Sequence, residues 1–326
     1  MTKAIATMLP AKSVSFSCAI LTSVFLAASD SQADTVYVSN TGAGTITRID
    51  SSGNSSLFAS GLSSPKGLAF DGAGNLYVAD SGDGTISVID PAGNVSTFAS
   101  GLNGPSALTF DSGGNLYVAS PGNQAILRVD ASRTVSVFMA GMVFNHDGAH
   151  LTADNAGNIY ANTYNTVVRF DSSGNGPADV GGGGATQGIA LDGAGHLYYA
   201  LQNPCVISGN GGLLTGIADF PSPYNNNLQL AAFQDTPCDL AFDNGGNLFA
   251  TFGNVSFDNP SHNGSAGNVL MEFGVNGENS VVATDIGGTY IAVQPVPEPG
   301  IWTFAGGVAA VLCVRKRAGR RHGVFR

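Results

Sequence analysis

Residues Lys66-Gly67-Leu68-Ala69-Phe70-Asp71-Gly72-Ala73-Gly74-Asn75-Leu76-Tyr77-Val78-Ala79-Asp80 decide the fold, because their pattern returns forty residues later. There it reads Ser106-Ala107-Leu108-Thr109-Phe110-Asp111-Ser112-Gly113-Gly114-Asn115-Leu116-Tyr117-Val118-Ala119. Each copy holds two short apolar runs around a polar, Gly-rich gap. Leu, Val, Phe and Tyr suit strands, and Asp, Gly and Asn suit the tight turn between them. Outward from this pair, weaker copies run through Asp154–Tyr160, Asp192–Tyr198 and Asp243–Phe249. The marker aromatics Tyr37, Tyr77, Tyr117, Tyr160, Tyr198 and Phe249 are spaced 40, 40, 43, 38 and 51 residues apart.

Each unit parses into four strands, A (67–70), B (76–79), C (85–89) and D (95–98) in the best copy. Strands A and B are apolar on both faces, as expected of sheets sandwiched between neighbours. About forty residues and four strands per unit is the period of a propeller blade. The first unit starts at strand B (36–38), and residues 290–293 form an orphan A strand. Joining them completes a sixth blade and removes an exposed edge. The expected fold is therefore all-β, a six-bladed β-propeller over residues 34–294, its ring closed by a C-terminal inner strand joining the N-terminal blade. The units resemble NHL-type propeller repeats over this span, which bears on fold and not on activity.

The repeated Asp…Gly-Asn gaps read as turn chemistry rather than cation loops. The carboxylate can accept turn amides and the glycine can take positive φ. No stretch has the calcium-loop spacing D-x-[DN]-x-[DN]-G.

Charge bounds the partners. Residues 34–294 carry five Lys or Arg against 21 Asp or Glu, a formal charge of −16, which the whole-chain value of −10 hides. Such a body is unsuited to the nucleic-acid backbone, which is held by Lys and Arg patches. It fits a soluble extracellular domain or one that collects cations.

The basic residues crowd the two ends. Residues 1–33 read as a signal peptide: Lys3 and Lys12, an apolar run over 14–28, then Ser31-Gln32-Ala33 before a cut at Asp34. Residues 295–326 read as a sorting tail, with the motif Val296-Pro297-Glu298-Pro299, an uncharged span over 300–314 and a basic cluster over 315–321. Fifteen residues make a helix of about 22 Å, short of the ~30 Å hydrocarbon core, so the flanks decide. A breaker, an apolar run and a terminal basic cluster in that order point to a transmembrane sorting helix with its positive end inside. The tail resembles PEP-CTERM sorting signals of bacterial envelope proteins. That resemblance implies processing by an exosortase-type enzyme, through Pro297, Glu298 and Pro299, and a place at the envelope or outside the cell.

In a four-strand blade, the B–C loops and D–A connections share one rim, here called the top. Departures from the forty-residue repeat gather there, in residues 140–148, 203–235 and 252–267. They nominate Phe144, His146, Asp147, Tyr224 and His262 as ligand-binding residues, joined by Tyr164 from the same rim, where Asp80 and Asp83 also lie. Aromatic rings beside amides suit sugars or peptides. Six-bladed propellers of the lactonase and streptogramin-lyase kind, which the ring also resembles, would imply a divalent metal near the axis of that face. Glu272 falls within a C strand and Glu278 in a bottom turn. His146 and His150 are four apart, about 13 Å in an extended strand, too far to share a metal. The leading expectation is a non-catalytic binding or matrix module without cofactor or metal, partnered by exopolysaccharide or a surface protein and by the membrane through its tail. The alternative is an extracellular metal-dependent lyase or lactonase using a divalent cation. Cys18 leaves with the signal and Cys313 lies in the tail, so an exported ring would pair Cys205 with Cys238 as a disulfide.

Overall fold

A computed structural model describes residues 35–144, 149–163, 166–181, 186–202, 205–209, 237–252, 268–274, 279–288 and 290–295. They build an all-β propeller. Sheet I contains β1 (Val36–Asn40), β2 (Thr45–Ile49) and β3 (Ser55–Ser60). Sheet II runs β4 (Pro65–Phe70), β5 (Leu76–Asp80), β6 (Thr85–Ile89) and β7 (Val95–Ala99). Sheet III runs β8 (Ala107–Phe110), β9 (Leu116–Ser120), β10 (Ala125–Val129) and β11 (Val135–Ala140). Sheet IV runs β12 (Leu151–Ala153), β13 (Ile159–Asn162), β14 (Val167–Phe170) and β15 (Ala178–Gly181). Sheet V shows β16 (Thr186–Leu191), β17 (Leu197–Gln202) and β18 (Cys205–Gly209). Sheet VI runs β19 (Pro237–Phe242), β20 (Leu248–Phe252), β21 (Val269–Phe273) and β22 (Asn279–Ala283). The last strand, β23 (Tyr290–Val293), pairs antiparallel with β1, Val36 opposite Val293, and completes sheet I. Five sheets are thus four-stranded blades, and sheet V has three described strands. The one helical element described is a single 3-10 turn, Pro121–Asn123.

The core is divided among the gaps between sheets. One apolar cluster joins Tyr37, Ile46 and Ala59 of sheet I to Leu68, Leu76 and Val78 of sheet II. Comparable clusters fill the gap between each successive pair of sheets, and the sixth joins sheet VI back to sheet I through Phe249, Leu270, Val36 and Val38. The marker aromatics sit in these gaps. Tyr37 meets Phe58 of its own sheet and Phe70 of the next edge-on, at 4.8 and 5.1 Å between centroids. Tyr77 repeats the contact with Phe98 and Phe110. Edge-to-face geometry adds to what burial alone provides.

The turns obey one rule. In Asp50–Asn54, Asp71–Asn75, Asp90–Asn94 and Asp111–Asn115, one carboxylate oxygen takes two backbone amides and the other takes the Asn side-chain amide. The glycine before each Asn has φ between +78° and +89°. On the opposite rim, D–A connections bond to B–C loops: Leu62 N–H to Gly44 O, Leu102 to Gly84, Met142 to Gln124 and Ile286 to Asn268. The two rims therefore differ in kind, with regular turns below and interlocked loops on top.

Candidate functional site

Inner strands β23, β4, β8, β12, β16 and β19 contact one another in that cyclic order. Together they line an axial chamber of ≈ 360 Å³. Matching register positions on these strands hold Tyr290, Gly67, Ala107, His150, Gly188 and Asp239. Two of the six are glycine for a structural reason. A Cβ on Gly67 would lie 2.6 Å from Ala107 Cα, and one on Gly188 2.6 Å from Asp239 Cα. At these two positions the strands approach too closely for any side chain, while Ala107 fits one methyl.

The other three close the axis. His150 comes from sheet IV, Asp239 from sheet VI and Tyr290 from sheet I, so their contacts cross the ring rather than follow it. His150 Nδ1 lies 2.9 Å from Asp239 Oδ1, with both side chains nearly buried. The imidazole stacks on Tyr290 at 5.4 Å and 21°. Asp239 Oδ1 also accepts the Leu240 N–H, and Oδ2 accepts the Ile291 N–H at 3.0 Å. The neighbouring B-strand position is polar in the same three sheets. Asn162 Oδ1 accepts the His150 N–H at 2.6 Å, and Thr251 Oγ1 accepts the Asp239 N–H at 3.2 Å. Ser39 stands opposite Tyr290. In sheets II, III and V the corresponding residues are Ala79, Ala119 and Ala200. Buried polar groups are thus concentrated in three sheets; the bonds of Asn162 and Thr251 to the His150 and Asp239 backbones offset the cost of burying them, whereas Ser39 Oγ has no partner among the described residues.

Of the residues nominated from sequence, Phe144 is buried, packed with Met142, Ala149 and Leu151 between sheets III and IV. His146, Asp147, Tyr164, Tyr224 and His262 lie outside the described residues, as do Pro297, Glu298 and Pro299. Cys205 opens β18 and Cys238 lies in β19, strands of neighbouring sheets that contact each other. Asp80 is buried at the top end of β5. Burial pushes its pKa up, against hydrogen bonds from the Ser87 hydroxyl, at 2.5 Å, and the Ser63 backbone, and nearby Asp83 adds to the rise. Asp83 itself is exposed.

His150, Asp239 and Tyr290 were missed in the sequence although their signal was present. Stacking the repeats places them in a column otherwise held by Gly or Ala, and a polar residue there has to face the axis or an adjacent inner strand.

The described axial residues do not fit a divalent metal. They supply one carboxylate, and both of its oxygens are engaged by protein donors. Among the described residues no group of three His, Cys, Asp or Glu could hold an ion. No helix among them is long and apolar enough to cross a membrane, and the expected tail span lies outside them.

No family model matches the chain, and no curated protein matches it. Solved structures do. A chain of a nidogen/laminin complex is 14% identical with a TM-score of 0.59, over 80% of this chain and 98% of that one. A gluconolactonase from Xanthomonas campestris, XC5397, is 14% identical with a TM-score of 0.52, over 76% of this chain and 84% of that one. At such identities the likeness shows the propeller fold.

Proposed function

We propose that this chain is an exported, surface-anchored binding module, a six-bladed propeller that holds an exopolysaccharide over its top rim without catalysis. One observation carries this reading. The only carboxylate described among the axial residues, Asp239, is engaged by His150 and two backbone amides and has no further described Asp, Glu or Cys beside it with which to hold the metal that a lyase or lactonase would need. The closed cycle of inner strands supports reading sheet V as a sixth blade. The interlocked top loops offer a rigid frame for irregular segments, the arrangement in which repeat folds place binding sites. The Pro297-Glu298-Pro299 tail would then hold the module at the envelope after exosortase-type processing, and deleting residues 296–326 should release it into the medium. The exported compartment would join Cys205 to Cys238, leaving no thiol to label in the unreduced protein.

Retention of the protein on immobilised exopolysaccharide tests the reading. Replacing His146, Tyr224 and His262 by Ala should weaken retention at least tenfold, about 1.4 kcal/mol. The same replacement at the bottom turns, Asp50 and Asp90, should leave it intact. Loss at the turns with retention at the rim would move the site to the other face. Retention on an immobilised surface protein instead would change the partner.

A further inference from the structure

The axial chamber extends from the His150, Asp239 and Tyr290 layer to the A–B turns, where Asn244 and Pro295 line it. Its walls are unequal. Ala69, Ala190, Ala241 and Ala292 line it from β4, β16, β19 and β23. At the same level β8 and β12, which are neighbours, carry Thr109 and Thr152 instead. Neither hydroxyl has a hydrogen-bond partner among the described residues. His150 closes the upper end of this polar wall. Its Nδ1 faces the Asp239 carboxylate, which leaves Nε2 as the second hydrogen-bonding atom of the ring. No partner for Nε2 occurs among the described residues, although the side chain is 6% exposed.

We infer that this chamber is a second binding site, entered from the A–B turn face, for one neutral, monosaccharide-sized ring. Such a ring has a hydroxylated side and a C–H side, which match the Thr109, Thr152 and His150 wall and the alanine wall. The volume of ≈ 360 Å³ falls at the small end of ligand sites, which span about 300–1,000 Å³. A hydroxyl of the ligand hydrogen-bonds His150 Nε2, and the two threonine hydroxyls bond its neighbours. Charge selects against ions. No Lys or Arg lines the chamber, and the Asp239 carboxylate is already engaged by His150 Nδ1 and backbone amides. The site rests on axial geometry alone, independently of the top-rim reading.

Titrating the full-length chain with D-glucose and with D-galactose, while following the His150 imidazole by nitrogen-15 NMR, tests the inference. At least one sugar should shift the His150 signal saturably, and sodium glucuronate should bind more weakly. Thr109→Val with Thr152→Val, which keeps shape and suits strands, should weaken binding at least tenfold. Ala241→Leu, which fills the chamber, should abolish it. The rim variants His146→Ala and Tyr224→Ala should leave the shift unchanged. If neither sugar moves the signal, or if the shift survives the threonine double variant or Ala241→Leu unaltered, the chamber holds water alone and the inference falls.

Discussion

His150 Nδ1 lies 2.9 Å from Asp239 Oδ1, although sheet V stands between their own sheets in the ring. This contact ties parts of the propeller that are not neighbours, and it does so where the inner strands crowd the axis. Removing one partner leaves the other buried without its bond. Asp239→Ala is therefore expected to cost about 3 kcal/mol in chemical denaturation. In that background His150→Ala should cost less than it does in the parent protein, because the shared interaction has already gone. Additive losses would show that the two act separately.

Asp80 is expected to limit stability at neutral pH. Burial raises its folded pKa above the unfolded value, so the folded state disfavours ionisation. The resulting penalty is absent below the ordinary carboxylate range and grows as pH rises through the folded pKa. Asp80→Asn should therefore stabilise the protein at pH 7 by about 1 kcal/mol, with the gain fading below about pH 4. Sheet I already carries Asn40 at this position, bonded to Thr45 and Thr47. A destabilised Asp80→Asn at pH 7 would contradict the assignment.

The blades were legible because each unit repeats the same physical solution. A hydrophobic run, an Asp whose carboxylate takes turn amides and a glycine at positive φ recur at fixed offsets, as in Asp71–Asn75 and Asp111–Asn115. The pairing of the two end strands was legible as well, since residues 36–38 and 290–293 each lacked a partner and prove to pair. The axial cluster was not read because its members differ from one another. His150, Asp239 and Tyr290 share a register position but no residue type, and only stacking the repeats brings them together. Their contacts also skip a sheet, which no local spacing encodes.

Gly188 is expected to be irreplaceable even by Ala. A Cβ there would lie 2.6 Å from Asp239 Cα and 2.7 Å from Leu240 N, both backbone atoms. Strands β16 and β19 would have to part, costing about 1–3 kcal/mol and loosening the Asp239 contacts. Gly193, where a Cβ would meet nothing within 4 Å, is the control and should tolerate Ala with little change. Equal thermal midpoints for the two variants would mean the inner strands are not in tight contact.

The turns should make the fold acid-sensitive. Side-chain hydrogen bonds from Asn54, Asn94 and Asn175 hold Asp50, Asp90 and Asp171 below the usual carboxylate range. Carboxylates with depressed folded pKa values stabilise the fold above their unfolded pKa and lose that contribution as pH falls through the folded one. Asn94→Ala should therefore reduce stability at neutral pH and flatten its decline below about pH 4. An unchanged acid profile would remove these turns from the account.

The binding-module reading meets its most direct test in one calorimetric titration of the full-length chain with exopolysaccharide, run with EDTA and again with a divalent ion. The expected result is saturable binding of equal affinity in both, because the axial carboxylate is already committed to His150 and backbone amides. Binding that requires the ion, or turnover of a lactone when the ion is supplied, would contradict the account and favour a metal-dependent enzyme.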